Sequence, residues 1–496
     1  MNCKYGNKIQ KFFLQNYLIK AFASFSSVQI LGIFVSFIVL SLYTRNLSPD
    51  DYGKITFIMI MVIMLSIIID SGLNTAFSIR FYKESEMENN KNIYTILVYN
   101  FVVLVGFVFV FFLFPALSEK VFRVTMTVHQ QLLVFCLILA TILGRFYTNF
   151  LIIARKPRKY FFVNLYYYLT LIAMSLIFLL ILKTGYFAYI YAYLVAHSVL
   201  AVIGIGYFLI NYRPFSKEMF SGARLVSLLK IGLPLVPNSL LLMLLTYADR
   251  YILGMYSGLA SVGVYSVGYV FADKIFSAII NPAGQAFTPL GFQTFTKSIP
   301  EYKTLLKKIF EGYWLTMEIF VIVYFSFLRE IFELIAGKQY LEGYNIISIV
   351  IIGVIFWGAA SMIGATIVMK EKTDKVFLFT LISVILNIIL NFILIPDFGI
   401  YGAALATLIS YVLYFQLFFI YTQKLVYVPY NIRLIILSGL ISLVFLFVLV
   451  GLSFAQINIF FRLAAKIIVA SVFIFMMHRF FNVMGAVMDV LRLGEK

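Results

Sequence analysis

Long apolar runs follow one another along the chain, separated by short polar connectors. They cover residues 20–43, 54–79, 92–114, 128–153, 160–182, 186–211, 228–250, 261–285, 305–328, 344–369, 376–395, 400–423, 431–453 and 459–482. A helix needs roughly 20 apolar residues to cross the hydrocarbon core. Only helices and closed barrels satisfy their backbone groups there. These runs are too long and too evenly apolar for the roughly ten-residue alternating strands of a membrane barrel. The pattern predicts an all-α polytopic membrane protein with 14 transmembrane helices.

Composition sharpens this picture. Hydrophobic residues make up 62% of the 496 and charged residues only 12%, which excludes a soluble globular class. The net charge of +18 would suit nucleic-acid binding if it lay on one soluble face. Instead, 27 Lys and Arg fall at the termini and in every second connector, against 8 in the alternate connectors. Short cytoplasmic loops carry such an excess, so both termini are expected in the cytoplasm, which requires an even number of spans. The first apolar run is too long for a cleavable signal peptide and lacks a small-residue cleavage site. Cys3 and Cys136 are placed in the cytoplasm and in the membrane, so no disulfide is expected.

Weak internal repetition divides the chain. Tyr52-Gly53-Lys54-Ile55 follows the first span and Val262-Gly263-Val264-Tyr265 follows the seventh. Gly185-Tyr186-Phe187-Ala188 opens the sixth and Gly399-Ile400-Tyr401-Gly402-Ala403 opens the twelfth. Both matches are offset by six spans. They suggest two parallel six-helix lobes, residues 1–211 and 228–424, joined by a basic linker at 212–227 and followed by two further helices and a tail at 425–496. Repeats of this kind place a substrate path at the lobe interface and work by rocking. No GxxxxGK[ST] loop is present, so no ATP hydrolysis is expected. Pro234 and Pro237 flank the start of the seventh span, and Pro282 and Pro289 lie in and after the eighth. They mark either bending, path-lining helices or ordinary packing kinks.

Four groups of residues together resemble the O-antigen flippase (Wzx-like) polysaccharide-export family of the multidrug/oligosaccharidyl-lipid/polysaccharide (MOP) superfamily. They are Leu42 to Gly53, Asp70-Ser71-Gly72-Leu73-Asn74-Thr75-Ala76 running on to Arg80-Phe81-Tyr82, Gly232 to Pro237 with Ala248 to Gly254 and Val262 to Ser266, and Gly399 to Ala404. None is a catalytic signature, and the specificity lies in their order and spacing. The resemblance implies two pseudo-symmetric six-helix lobes forming a V plus two extra C-terminal helices. It also implies movement of an undecaprenyl-pyrophosphate-linked oligosaccharide across the bacterial inner membrane.

Ionisable side chains inside the spans are the candidate site. Each costs about 2.5–3.5 kcal/mol at the bilayer centre on insertion scales and usually faces a cavity or a partner. Arg145 and Lys274 either line an electropositive cavity for pyrophosphate or acidic sugars, with Arg80 added at its edge as a third cation or a simple topological anchor, or they form structural ion pairs. Asp70 is placed to relay protons or to pair with Arg145. Asp273, next to Lys274, points about 100° away from it, so the two make no tight pair. Glu311 and Glu318 share a face of the ninth span; Glu318 either binds a coupling proton or sodium or makes an interhelical hydrogen bond. Arg45, Asp249 and Arg250 close equivalent span ends, as a gate latch or as helix caps. Arg462 and Lys466, four apart, either snorkel or meet a lipid headgroup at a side portal. His197 is a packing residue or a titrating one. Tyr191 and Tyr193 are candidate sugar contacts.

The reading is therefore a flippase, not an enzyme, with no cofactor and no metal. Its partners are lipid-linked oligosaccharide, membrane lipids and polysaccharide polymerase or assembly proteins. The alternative is a cation-coupled multidrug (MATE-like) exporter. A membrane polymerase or acyltransferase is disfavoured by the lack of a long loop and of an acid–base constellation.

Overall fold

The computed structural model describes residues 27–114, 121–212, 219–455 and 457–481, without side chains over 275–289. The expectations for Cys3, Lys4, Lys8, Lys11, Lys20, Lys120, Arg213, Lys217, Arg492 and Lys496 fall outside the described residues. Among those that are described, every regular element is helical.

The first half runs α1 (Ser27–Asn46), α2 (Pro49–Asp70), α3 (Leu73–Arg80), α4 (Glu86–Leu113), α5 (Val128–Ile153), α6 (Pro157–Leu176, ending in a π turn Ile177–Ile181) and α7 (Phe187–Tyr212). There follow α8 (Gly222–Gly232), a 3-10 turn (Leu233–Leu235), α9 (Val236–Tyr256), α10 (Gly258–Lys297) and α11 (Ile299–Ile335). The last four are α12 (Ile347–Met369), α13 (Thr373–Leu425), α14 (Ile432–Phe454) and α15 (Ile459–Phe481).

Helix starts follow local chemistry. Ser48 accepts from the Asp51 amide ahead of Pro49, and Ser85–Glu88 and Thr127–Gln130 are reciprocal capping boxes. Among the described residues, eleven helices are long and apolar enough to cross a membrane. Many large apolar side chains point outward, Phe447 at 81% exposure among them, as expected when hydrocarbon is the solvent.

Where they are described, the expected spans fall on helices, with two refinements. The second span is broken: Ser71 (φ 50°) and Gly72 (φ 73°) are left-handed and separate α2 from α3. Spans eleven and twelve share α13, in which Gly399 is non-helical (φ 52°, ψ −125°). A Cβ on Gly402 would lie 2.3 Å from the Leu394 carbonyl oxygen. A continuous helix holds residues eight apart at roughly 12 Å, so the chain folds back at Gly399 and α13 is two packed helices. Pro234 occupies the 3-10 turn between α8 and α9, and Pro237 sits in the first turn of α9. Pro282 and Pro289 lie within the continuous α10.

By its contacts the chain divides into two compact units, Met1–Ser266 and Val267–Lys496, the division falling inside α10. The core of the first unit gathers Phe77 from α3, Phe146 and Phe150 from α5 and Phe208 from α7, all nearly inaccessible. Phe150 meets Phe208 edge to face at 5.1 Å.

Candidate functional site

In the first unit Arg145 lies two-thirds along α5. Its side chain is exposed and makes no hydrogen bond or ion pair among the described residues. It acts electrostatically on Asp70 at the end of α2 and on His197 of α7. Asp70 is half-buried, and its Oδ2 accepts from the Asn74 amide at 3.4 Å, across the Ser71–Gly72 break. The expected direct pairing of Asp70 with Arg145 is replaced by this longer-range attraction. Asn74 and Ser78 of α3 accept from the Asn149 amide one turn beyond Arg145.

An aromatic ladder stands beside this cluster. Tyr43 meets Tyr189 at 5.0 Å, Tyr189 stacks on Tyr193 at 4.4 Å, and Tyr193 approaches His197 at 6.1 Å. Tyr167 bonds the His197 Nε2 at 3.3 Å. The spacing Tyr189–Tyr193–His197 on one face of α7 builds the ladder. Tyr191 points elsewhere and stacks on Phe178 at 5.0 Å. Of the two candidate sugar contacts, Tyr193 thus joins the ladder that runs to His197 and Tyr191 does not.

Arg80 is no isolated anchor. It donates to Ser227 Oγ of α8 at 2.6 Å and pairs with Glu84 at 3.3 Å. Arg224 of α8 pairs with Glu84 and Glu88, each at 2.9 Å, and Asn92 donates to Glu84 at 2.7 Å. This network joins α3 and the start of α4 to α8. Sequence reading missed it, although Glu84, Glu88 and Asn92 recur every four residues, the signal of one polar face.

The same neighbours pack tightly elsewhere. A Cβ on Gly72 would stand 2.3 Å from the Gly232 carbonyl oxygen, so the break in the second span rests directly on the backbone before Pro234. Toward the Pro49 end, a Cβ on Gly53 would lie 2.1 Å from the Leu259 oxygen, and one on Gly263 would lie 2.0 Å from the Pro49 oxygen.

Asp249 and Arg250 are almost fully buried at 1% and 3% exposure and pair at 2.7 Å. Tyr265 donates to Asp249 Oδ2 at 2.7 Å, and the guanidinium lies over the rings of Tyr247 and Tyr265 at 5.2 and 5.1 Å. Such a satisfied pair is a structural staple, since removing one partner strands the other. Arg45 is exposed at the end of α1.

In the second unit Lys274 is exposed on α10 and Asp273 half-buried, as their divergent directions require. Glu311 accepts from the Asn431 amide at 2.7 Å, and Glu318 accepts from Ser438 at 3.1 Å. Both pairs are 120 residues apart, so α11 and α14 run parallel with one acidic face against the other helix. Arg462 and Lys466 turn inward. Both bond Glu330 of α11 at 3.0 Å, and the Lys466 side chain is fully buried. Snorkelling is thereby replaced by an intramembrane ion cluster. No group of three His, Cys, Asp or Glu able to hold a metal occurs among the described residues.

Residues 18–295 match the family described as "Polysaccharide biosynthesis protein". The chain belongs to this polysaccharide biosynthesis protein family. A curated relative, the capsular polysaccharide biosynthesis protein CapF of Staphylococcus aureus, is 30% identical over 164 residues, which are 32% of this chain and 38% of that relative. The chain therefore matches well under half the length of that relative. The fold is similar to the lipid II flippase MurJ in its inward closed conformation (TM-score 0.67, 18% identity, 93% of this chain and 98% of that one). It is also similar to an inward-facing MATE multidrug resistance transporter of the MOP superfamily (TM-score 0.63, 13% identity, 79% and 94%). This polysaccharide biosynthesis family member thus shares its fold with these two solved proteins.

Proposed function

We propose that the protein translocates undecaprenyl-pyrophosphate-linked oligosaccharide across the bacterial inner membrane by alternating access of two lobes, residues 1–211 and 228–424. The supporting observation is Arg145: a guanidinium within a span, exposed and without an ion-pair partner among the described residues, next to a tyrosine ladder. A free cation inside a membrane helix is costly and persists where it has a task. Arginine grips phosphate bidentately, and tyrosine stacks on sugar rings. Lys274 is the second cation assigned to substrate binding, and both termini lie in the cytoplasm. The glycan then passes to periplasmic polymerase or assembly proteins.

Replacing Arg145 and Lys274 together by alanine abolishes surface glycan while the protein level in the membrane is unchanged. Undiminished glycan in that double variant removes the proposed site. The MATE-like fold keeps a second reading in play, cation-coupled drug export. That reading expects a deletion strain to become drug-sensitive, whereas the flippase reading expects only the glycan to vanish.

A further inference from the structure

Two turns of the molecule share one backbone and differ in charge. Between α5 and α6 the Lys156 amide donates to the Leu151 carbonyl at 2.9 Å and the Arg155 amide to that of Ile152 at 3.1 Å, with Arg155 left-handed at φ 53°. Between α12 and α13 the Lys372 amide donates to Ile367 at 3.0 Å and the Glu371 amide to Val368 at 2.9 Å, with Glu371 at φ 57°. Both are the paired closure of a helix end by a left-handed residue. They follow the fourth and the tenth expected spans. The second turn, Lys370-Glu371-Lys372-Thr373-Asp374-Lys375, interleaves cations with acids, and Lys375 pairs with Asp374 at 3.4 Å. The first, Arg155-Lys156-Pro157-Arg158-Lys159, holds four cations and no acid. The preference for basic connectors acts on both turns alike, so it does not account for the difference.

The cations of the first turn are also gathered. The Lys156 and Lys159 ammonium groups lie 5.0 and 4.7 Å from the centre of one ring, Tyr207 of α7, and Lys156 donates to the Tyr207 hydroxyl. Arg155 lies over Tyr82 at 5.5 Å. Lys156, Arg158 and Lys159 make no ion pair among the described residues. The carboxylates of the neighbouring α4 region are used elsewhere: Glu84 pairs with Arg80 and Arg224, and Glu88 with Arg224. Glu86 acts electrostatically on Tyr212 but makes no ion pair among the described residues. An aromatic face holds an ammonium group without neutralising it. Two like charges are therefore kept around one side chain with no anion to balance them. On the same three helices, within two turns, Ile152, Phe162 and Ile210 expose apolar side chains, Ile210 at 80%. Cations beside outward apolar residues mark the level of lipid headgroups.

We infer that the α5–α6 turn is a binding site for the phosphate of an anionic phospholipid, held by Lys156 and Lys159 beside Tyr207, with the exposed Arg158 adding attraction. A phospholipid meets both halves of the site. Its phosphate balances the ammonium groups, and its acyl chains cover the apolar side chains above them. A soluble phosphate meets only the first half. The inference does not rest on the flippase reading, since the site lies within the first unit and needs no glycan.

The test uses the full chain in phosphatidylcholine nanodiscs with and without phosphatidylglycerol. A neutral amine-reactive reagent is added, and the labelling rate of each lysine is read by peptide mass. Phosphatidylglycerol is expected to slow labelling of Lys159 at least about fivefold and to leave Lys372 unchanged. Inorganic phosphate in phosphatidylcholine discs is expected to protect neither; equal protection of Lys159 by it overturns the assignment to lipid. Retention of phosphatidylglycerol by the purified protein is then followed by native mass spectrometry. Lys156→Gln with Lys159→Gln is expected to weaken it at least about tenfold. Lys372→Gln with Lys375→Gln, the same loss of charge at the matching turn, is expected to leave it unchanged. Equal weakening by both pairs overturns the inference in favour of diffuse surface charge. Equal labelling of Lys159 with and without phosphatidylglycerol overturns it outright and requires no variant to fold.

Discussion

At its Pro49 end, α2 meets the start of α10 backbone to backbone: Gly53 lies against Leu259 and Gly263 against Pro49, with no room for a Cβ. Near the other end, α3 and the start of α4 meet α8 through Arg80, Glu84, Glu88, Arg224 and Ser227. The first joins the first expected lobe to the second and the other joins the first lobe to the expected linker, both within one compact unit. The first depends on shape and is indifferent to salt and pH. The second is partly solvated, screened by salt and reversible at little cost. A transporter that alternates between two openings needs contacts that form and break. In the alternating cycle proposed above, the two ends would release by different means, steric at one and ionic at the other.

The steric end is the easier to break and has the largest expected effect. Gly263→Leu forces the helices apart, because its Cβ would meet the Pro49 carbonyl at 2.0 Å. Overpacking of this kind costs about 1–3 kcal/mol. Surface glycan is expected to be lost. Labelling of Leu259→Cys by an impermeant maleimide, in a Cys3→Ser and Cys136→Ser background, is expected to accelerate several-fold. Unchanged labelling would show that this contact does not close the path.

The ionic end gives a smaller effect with a different signature. Arg224→Ala removes the pairs to Glu84 and Glu88, which are partly solvated and weakened by salt. The melting temperature of the parent is expected to fall as salt rises from low to moderate concentration, and that of Arg224→Ala to fall less. The Gly263→Leu protein should keep the parental salt response. Identical salt dependence in all three would remove the distinction between the ends.

Much of the fold was legible in the sequence, because hydrophobic length is the constraint a bilayer imposes most directly. The position of Gly399 between two apolar runs marked a span boundary, and the structure turns back there. The break at Ser71–Gly72 was not legible, since the apolar run continues through it and only the packing of Gly72 on Gly232 requires a left-handed backbone. Among the charges, spacing placed Glu311 and Glu318 on one face correctly. It gave no access to their partners, nor to Glu330 as the ion that draws Arg462 and Lys466 inward. Seven residues apart defines a helix face, but which helix lies opposite is a long-range fact. The Tyr207 ring shared by Lys156 and Lys159 was hidden for the same reason, lying 51 residues beyond Lys156.

The smallest effect tests whether the two ends act independently. Ser227→Ala deletes the 2.6 Å bond from Arg80 and leaves the Arg80–Glu84 pair in place. A single hydrogen bond to a charged group of this exposure contributes about 1 kcal/mol. Gly53 lies 17 residues before the end of α2 at Asp70, so roughly 25 Å of helix and then the Ser71–Gly72 break separate its contact from the Arg80 network. Sites that far apart with no shared partner add to within about 0.5 kcal/mol. The stability loss of Ser227→Ala with Gly263→Ala is therefore expected to equal the sum of the single losses. Non-additivity well beyond that margin, read from denaturation midpoints of the four proteins, would mean that α2 and α3 transmit strain across the Ser71–Gly72 break as one rod. The steric and ionic contacts would then be a single closure.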